Sequence, residues 1–129
     1  MKQKDIKVLV VDDEVAFANT LAQRLRMRDM EVGTAYDGEQ ALSKLNKEAP
    51  DVIILDLKMP GMHGMDVLQE IKAGYPEIQV ILLTGHGTDR DGEEARRLGG
   101  FDFLNKPADI DHLECKIRKA FQEKLKRTV

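Results

Sequence analysis

The sequence predicts an α/β fold: a five-stranded parallel sheet of order 2-1-3-4-5, covered by helices on both faces in three layers. Three observations lead there. Strand-like and helix-like segments alternate five times along 129 residues, the pattern that builds parallel sheets from βα units. Three of the strand segments are continuous apolar runs, as strands covered on both faces should be, and two are mixed, as edges should be. Right-handed crossovers then leave 2-1-3-4-5 as the order that satisfies all five positions.

The elements follow in turn. The first strand is expected over Ile6–Val11, with its apolar run Val8-Leu9-Val10-Val11. In the first helix Phe17, Leu21 and Leu25 share a stripe, with Ala18 and Ala22 beside them. The second strand, Glu31–Tyr36, is mixed and reads as an edge; Ala41, Leu42 and Leu45 mark the helix after it. Val52–Leu55 is a buried central strand, followed by a helix carrying Met65, Leu68 and Ile71. The fourth strand is expected over Ile78–Leu83. The segment Gly85-His86-Gly87-Thr88-Asp89-Arg90-Asp91-Gly92 predicts a short fourth helix of low intrinsic stability, since each helical glycine costs about 1 kcal/mol. Phe101–Leu104 is a short, alternating edge strand, and Ile110, Leu113, Ile117 and Phe121 define the last helix.

Composition narrows the function classes. With 42% hydrophobic and 33% charged residues, the chain reads as one globular domain spanning residues 1–129. No apolar run reaches the roughly 18 residues a membrane helix needs, and the start MKQKDIK has no signal-peptide core. The one cysteine, Cys115, cannot form an internal disulfide, so a cytoplasmic address is expected. The formal charge of −3 gives no general attraction to nucleic acid or anionic membrane. The cations Lys116, Arg118, Lys119, Lys124, Lys126 and Arg127 lack interleaved aromatics and read as a solvated helix face. Neither direct nucleic-acid binding nor a membrane partner is expected.

The chemistry collects where the strands end. In this kind of sheet, sites form beyond the carboxyl ends of the strands near the winding reversal, here between the first and third strands. Asp12 and Asp13 follow the first strand, Asp56 the third, Thr84 the fourth, and Lys106 stands just past the fifth. Crowded carboxylates resist ionisation unless a cation joins them. Mg²⁺ suits such oxygen ligands, and Lys106 brings a second positive charge. A carboxylate such as Asp56 can accept a phosphoryl group as a nucleophile, a transfer governed by positioning and charge neutralisation. Each residue alone has a bland alternative: a helix cap for Asp12 or Asp13, a strand end for Asp56, a turn for Thr84, an exposed edge charge for Lys106. Their convergence on one rim favours the chemical reading. His63, His86 and His112 lack zinc-site spacing, and Met59, Met62 and Met65 are expected to shape a loop and helix start.

Val8-Leu9-Val10-Val11-Asp12-Asp13-Glu14, Asp56-Leu57-Lys58-Met59-Pro60-Gly61-Met62, Leu83-Thr84-Gly85 and Asp102-Phe103-Leu104-Asn105-Lys106-Pro107 together resemble the receiver domain of two-component response regulators, nearly end to end. The resemblance implies a flavodoxin-like fold and a phosphoryl-accepting switch, not an enzyme with a separate substrate, although Mg²⁺-dependent self-phosphorylation and autodephosphorylation would accompany it. Asp56 would take the phosphoryl group from a sensor histidine kinase or phosphotransfer protein. Asp13, Asp56 and the Lys58 backbone carbonyl would bind Mg²⁺ directly, and Asp12 through a metal-bound water. Thr84 and Lys106 would contact the phosphoryl group, and Lys106–Pro107 would be a cis peptide. Thr84 would move inward on phosphorylation, and Phe103 would follow it and alter the face made by the fourth helix, fifth strand and fifth helix. That face would serve an output domain or target protein, and would allow a homodimer. His86 and Lys58 occupy positions that tune phosphoryl lifetime in the family. Gly100 replaces a common alanine and is expected to loosen the entry to the fifth strand. The domain is expected to stand alone or to begin a longer regulator.

Three alternatives were weighed. A flavodoxin-type electron carrier would need a Gly/Ser/Thr-rich loop for flavin phosphate, where this chain has Asp12-Asp13-Glu14. An aspartate-dependent phosphatase would carry its D-x-D motif after the first strand. A receiver-like interaction module working without phosphorylation is the alternative that remains open.

Overall fold

A computed structural model describes residues 5–59, 61–85 and 87–127. The elements run β1 (Ile6–Val11), α1 (Val15–Arg26), β2 (Met30–Ala35), α2 (Gly38–Lys47), β3 (Val52–Leu55), α3 (Gly64–Gly74), β4 (Gln79–Thr84), α4 (Asp89–Arg97), β5 (Asp102–Asn105) and α5 (Ile110–Arg127). The five strands pair in parallel in the order β2-β1-β3-β4-β5, as expected from the apolar runs. Side chains alternate across each strand, and this divides the core in two. Leu9, Val11, Ile53, Leu55, Val80 and Leu82 face α2 and α3. Val8, Val10, Val52, Ile54, Ile81 and Leu83 face Leu21 and Leu25 of α1 and Leu113 and Ile117 of α5. No helix of the described residues is long and apolar enough to cross a membrane.

Three strands are shifted by one residue from their expected limits. β2 begins at Met30 and releases Tyr36, whose N–H turns to the Gln40 side chain instead. β4 and β5 each run one residue further, so that Thr84 pairs with Asn105 in the ladder. A ladder of backbone hydrogen bonds is indifferent to side-chain polarity, so the apolar pattern marks its end one residue early.

α4 is nine residues long, and Thr88 with Asp91 closes a reciprocal capping box at its start, which offsets some of the cost of Gly92. Gly100 does the opposite of loosening β5. Its N–H donates to the Ala95 carbonyl at 2.8 Å, and a Cβ there would lie 2.9 Å from that oxygen. Glycine therefore lets the end of α4 pack tightly onto the sheet. The cations of α5 are also less solvated than expected. Lys116 pairs with Asp102 at 2.8 Å and Lys124 with Asp51, tying the helix to β5 and to the start of β3.

Candidate functional site

Register builds the site. Val11 pairs with Leu55, so the residues that follow, Asp12 and Asp56, leave the sheet side by side. Both are held by backbone bonds, Asp12 N–H to Ala35 and Asp56 N–H to Val11. The Lys106 N–H donates to the Thr84 carbonyl at 2.8 Å, bringing the fifth-strand lysine to the same rim, and its peptide to Pro107 is cis. Asp12, Asp56 and Thr84 are buried, while Asp13 is half-buried.

Carboxylate oxygens of Asp12, Asp13 and Asp56 lie within 4.8 Å of one another. The Lys106 ammonium donates to Asp12 Oδ2 at 2.7 Å and Glu14 Oε1 at 3.2 Å, and stands 3.8 Å from Asp56 Oδ2. It also lies 4.2 Å from the centre of the Phe17 ring. The charges do not balance. Burial lifts the Asp12 carboxyl above its ordinary range, and the Asp56 charge adds to this, outweighing the bond from Lys106. Burial lowers the basicity of Lys106, yet Asp12, Asp56 and Glu14 together raise it above the ordinary lysine value. The two shifts agree on one point: several anions share one cation. An all-oxygen donor set short of positive charge fits Mg²⁺ in kind.

Thr84, at the end of β4, carries an unused donor in Oγ1. Among the described residues it is the buried side-chain polar atom without a hydrogen-bond partner, a state that costs about 1–3 kcal/mol.

Residues 8–118 match the family model of the response regulator receiver domain. The chain belongs to the response regulator receiver family. This receiver is 42% identical over 112 residues to the probable transcriptional regulator ycf27 of Guillardia theta, covering 87% of the chain and 44% of that protein. It is 35% identical over 120 residues to the transcriptional regulatory protein ZraR of Escherichia coli K12, covering 93% of the chain and 27% of that protein. Among solved structures, a CheY-like receiver from Methanospirillum hungatei JF-1 superimposes with a TM-score of 0.91 at 25% identity, over 96% of this chain and 99% of the other. The receiver domain of NtrX from Brucella abortus gives 0.84 at 36% identity, over 89% and 98%. The receiver thus spans less than half the length of these two curated relatives. The family is one of phosphoacceptor signalling domains.

The receiver carries its expected residues on one rim, with Phe103 one layer behind. The Phe103 ring is half-buried, and both it and the Thr84 methyl crowd the α-carbon of Gly87 at the entrance to α4: a Cβ there would lie 2.3 Å from Phe103 Cζ and 2.8 Å from Thr84 Cγ2. His86 lies outside the described residues. The Lys58 N–H is 3.4 Å from Asp56 Oδ1. The loop carrying Lys58 is pinned by Gly64, whose N–H donates to the Leu57 carbonyl at 2.8 Å and whose α-carbon is too close to that backbone for any side chain, a Cβ lying 2.6 Å from the Asp56 carbonyl. His63 caps α3, accepting from the Met65 N–H, while Met59 is buried and Met62 and Met65 pack against the core.

Sequence reasoning missed four supports. Gly64 goes unremarked in the sequence, His63 is weighed there only as a zinc ligand and not as a helix cap, and Phe17 only as part of an apolar stripe. Glu14 was noted only as part of the motif. Asp12 caps nothing at the third turn position; it accepts from the Glu14 N–H, while Glu14 occupies the N-cap without a side-chain bond to the helix. The three-residue spacing of Glu14 and Phe17 was the available signal.

Proposed function

We propose that this receiver is a phosphoryl-accepting switch acting at Asp56. One observation carries the reading: three carboxylates share a rim with a single ammonium and a buried, unpartnered hydroxyl. A carboxylate oxygen of Asp56 attacks the phosphorus of a phosphohistidine on a sensor kinase or phosphotransfer protein. The new O–P bond forms as the P–N bond breaks, and the electron pair stays on the imidazole nitrogen. Asp13, Asp56 and the Lys58 carbonyl would hold Mg²⁺, with Asp12 acting through a bound water; the ion would supply positive charge to the transferring oxygens. Lys106 supplies a second positive charge, and Thr84 donates its hydroxyl to a phosphoryl oxygen.

Moving to that oxygen would shift the Thr84 methyl away from Gly87 and free space for Phe103. The shared contact at Gly87 supports a relay from Thr84 through Phe103 to the α4–β5–α5 face. That face would address an output domain or target, and could pair two copies of the receiver. The receiver would act in the cytoplasm, and regulation of transcription fits the names of its relatives.

Incubation with Mg²⁺ and acetyl phosphate, followed by intact-mass measurement, tests the reading. The expected result is one phosphoryl adduct on the wild type and none on Asp56→Asn. No adduct on the wild type with acetyl phosphate or a phosphorylated kinase would leave the phosphorylation-independent interaction module in its place.

A further inference from the structure

Lys106 has three ammonium donors, and two of them are engaged on the α1 side of the pocket, by Asp12 and Glu14. Asp56 Oδ2, at 3.8 Å, lies beyond hydrogen-bond reach. The Phe17 ring sits against the same ammonium, close enough for a cation–π attraction. Three residues apart, Glu14 and Phe17 share one face of the first turn of α1. The local needs of the helix do not explain Glu14: Ser, Thr, Asp or Asn would cap better, and its carboxylate makes no cap bond. It reaches across to β5 instead.

We infer that Glu14 and Phe17 form a resting seat for Lys106, and that Glu14 is a positioning residue which lowers the affinity of the pocket for an anion on Asp56. The inference rests on the phosphoacceptor reading. Its electrostatics have a definite sign. The Glu14 charge draws the ammonium toward α1 and repels a phosphoryl dianion arriving on the other side of it. The Asp12 bond is buried and dominates the hold on Lys106. Glu14 is 66% exposed, so its effect is that of a screened surface pair. That makes it a trimming device that can be altered without disturbing the fold.

Beryllofluoride with Mg²⁺, a mimic of the phosphoryl group, tests this on the whole chain by calorimetry. Glu14→Gln should bind it about two- to five-fold more tightly than the wild type, and Phe17→Leu should also tighten binding, by a similar factor or less. The Glu14→Gln gain should fade as ionic strength rises from about 0.01 M to about 1 M, because the screening length falls from about 30 Å to about 3 Å. A purely structural role would give no such fading. Equal or weaker binding by Glu14→Gln at low salt, or a gain indifferent to salt, overturns the inference. Should the wild type fail to bind the mimic at all, the phosphoacceptor reading fails with it. The seat is then judged on the metal-free protein: the Lys106 ammonium resonance must move in Glu14→Gln, and an unmoved resonance overturns it.

Discussion

The two ends of the sheet each bury aspartate, to opposite effect. At the N-terminal end, Asp51 is 3% exposed; at the C-terminal end, Asp12 is 2% exposed. Asp51 Oδ2 accepts from the Lys7 N–H at 2.9 Å, and Oδ1 accepts from Lys124. Its own N–H and carbonyl continue the backbone bonding to Lys7 and Gln79. One carboxylate thus meets one ammonium and one amide, and each of its oxygens has a partner. At the other end three carboxylates meet one ammonium, and the Thr84 hydroxyl at the end of β4 has no partner among the described residues. Burial alone therefore does not mark a site. What separates the two ends is whether the buried charges and donors are used up by the chain itself.

The comparison breaks most visibly at Asp51. Replacing it with alanine removes the acceptor of the Lys7 N–H and one partner of the partly exposed Lys124, and an unsatisfied buried donor costs about 1–3 kcal/mol. Urea unfolding should show that loss in Asp51→Ala, while capture of a phosphoryl group by the folded fraction stays intact. A loss below about 1 kcal/mol would mean that water replaces the carboxylate easily, and the closed character of that end would be wrong.

Thr84→Val is the complementary change at the open end. The shape is kept and the idle hydroxyl is removed, so the variant should be more stable than the wild type by about 1 kcal/mol. The same substitution should weaken retention of beryllofluoride, because a donor meant for the bound anion is gone. Stability equal to or below that of the wild type would show that the hydroxyl already has a partner in solution.

Much of this contrast was legible in the residue order. Apolar runs at Val8-Leu9-Val10-Val11, Val52-Ile53-Ile54-Leu55 and Val80-Ile81-Leu82-Leu83 settle which strands are central. Once the order follows, Asp12, Asp56, Thr84 and Lys106 have one rim to occupy. The Asp51 clamp was not legible, because a carboxylate beside a proline in a loop reads as solvated; its partners lie 44 and 73 residues away. Gly100 was misread although its signal is local. The N–H groups of Gly99 and Gly100 bond back to the Arg96 and Ala95 carbonyls, a helix ending that Gly-Gly after α4 spells out in the sequence. Glu14 stood in plain view, yet its partner Lys106 is 92 residues distant.

The smallest expected effect concerns how the two kinds of carboxylate answer to pH. Asp12 has a folded-state pKa raised above 3.8, chiefly by burial. As pH rises from 3.8 toward that raised value, the folded state holds on to its proton longer than the unfolded state. Asp12 therefore subtracts stability across this window, and the penalty stays constant above it. Asp102 has the opposite sign. Burial would raise its pKa, but the Lys116 ammonium, the Phe103 N–H and Arg96 outweigh burial and lower it below 3.8. Its contribution is present above 3.8 and is lost as pH falls through the folded value. Stability measured from acid to neutral pH should thus rise less steeply in the wild type than in Asp12→Asn, and more steeply than in Asp102→Asn. Adding Mg²⁺ at neutral pH should narrow the gap between the wild type and Asp12→Asn, because an ion bound to the folded state stabilises it by mass action and fills the deficit of positive charge. Parallel curves for the wild type and Asp12→Asn would mean that Lys106 alone already balances the rim.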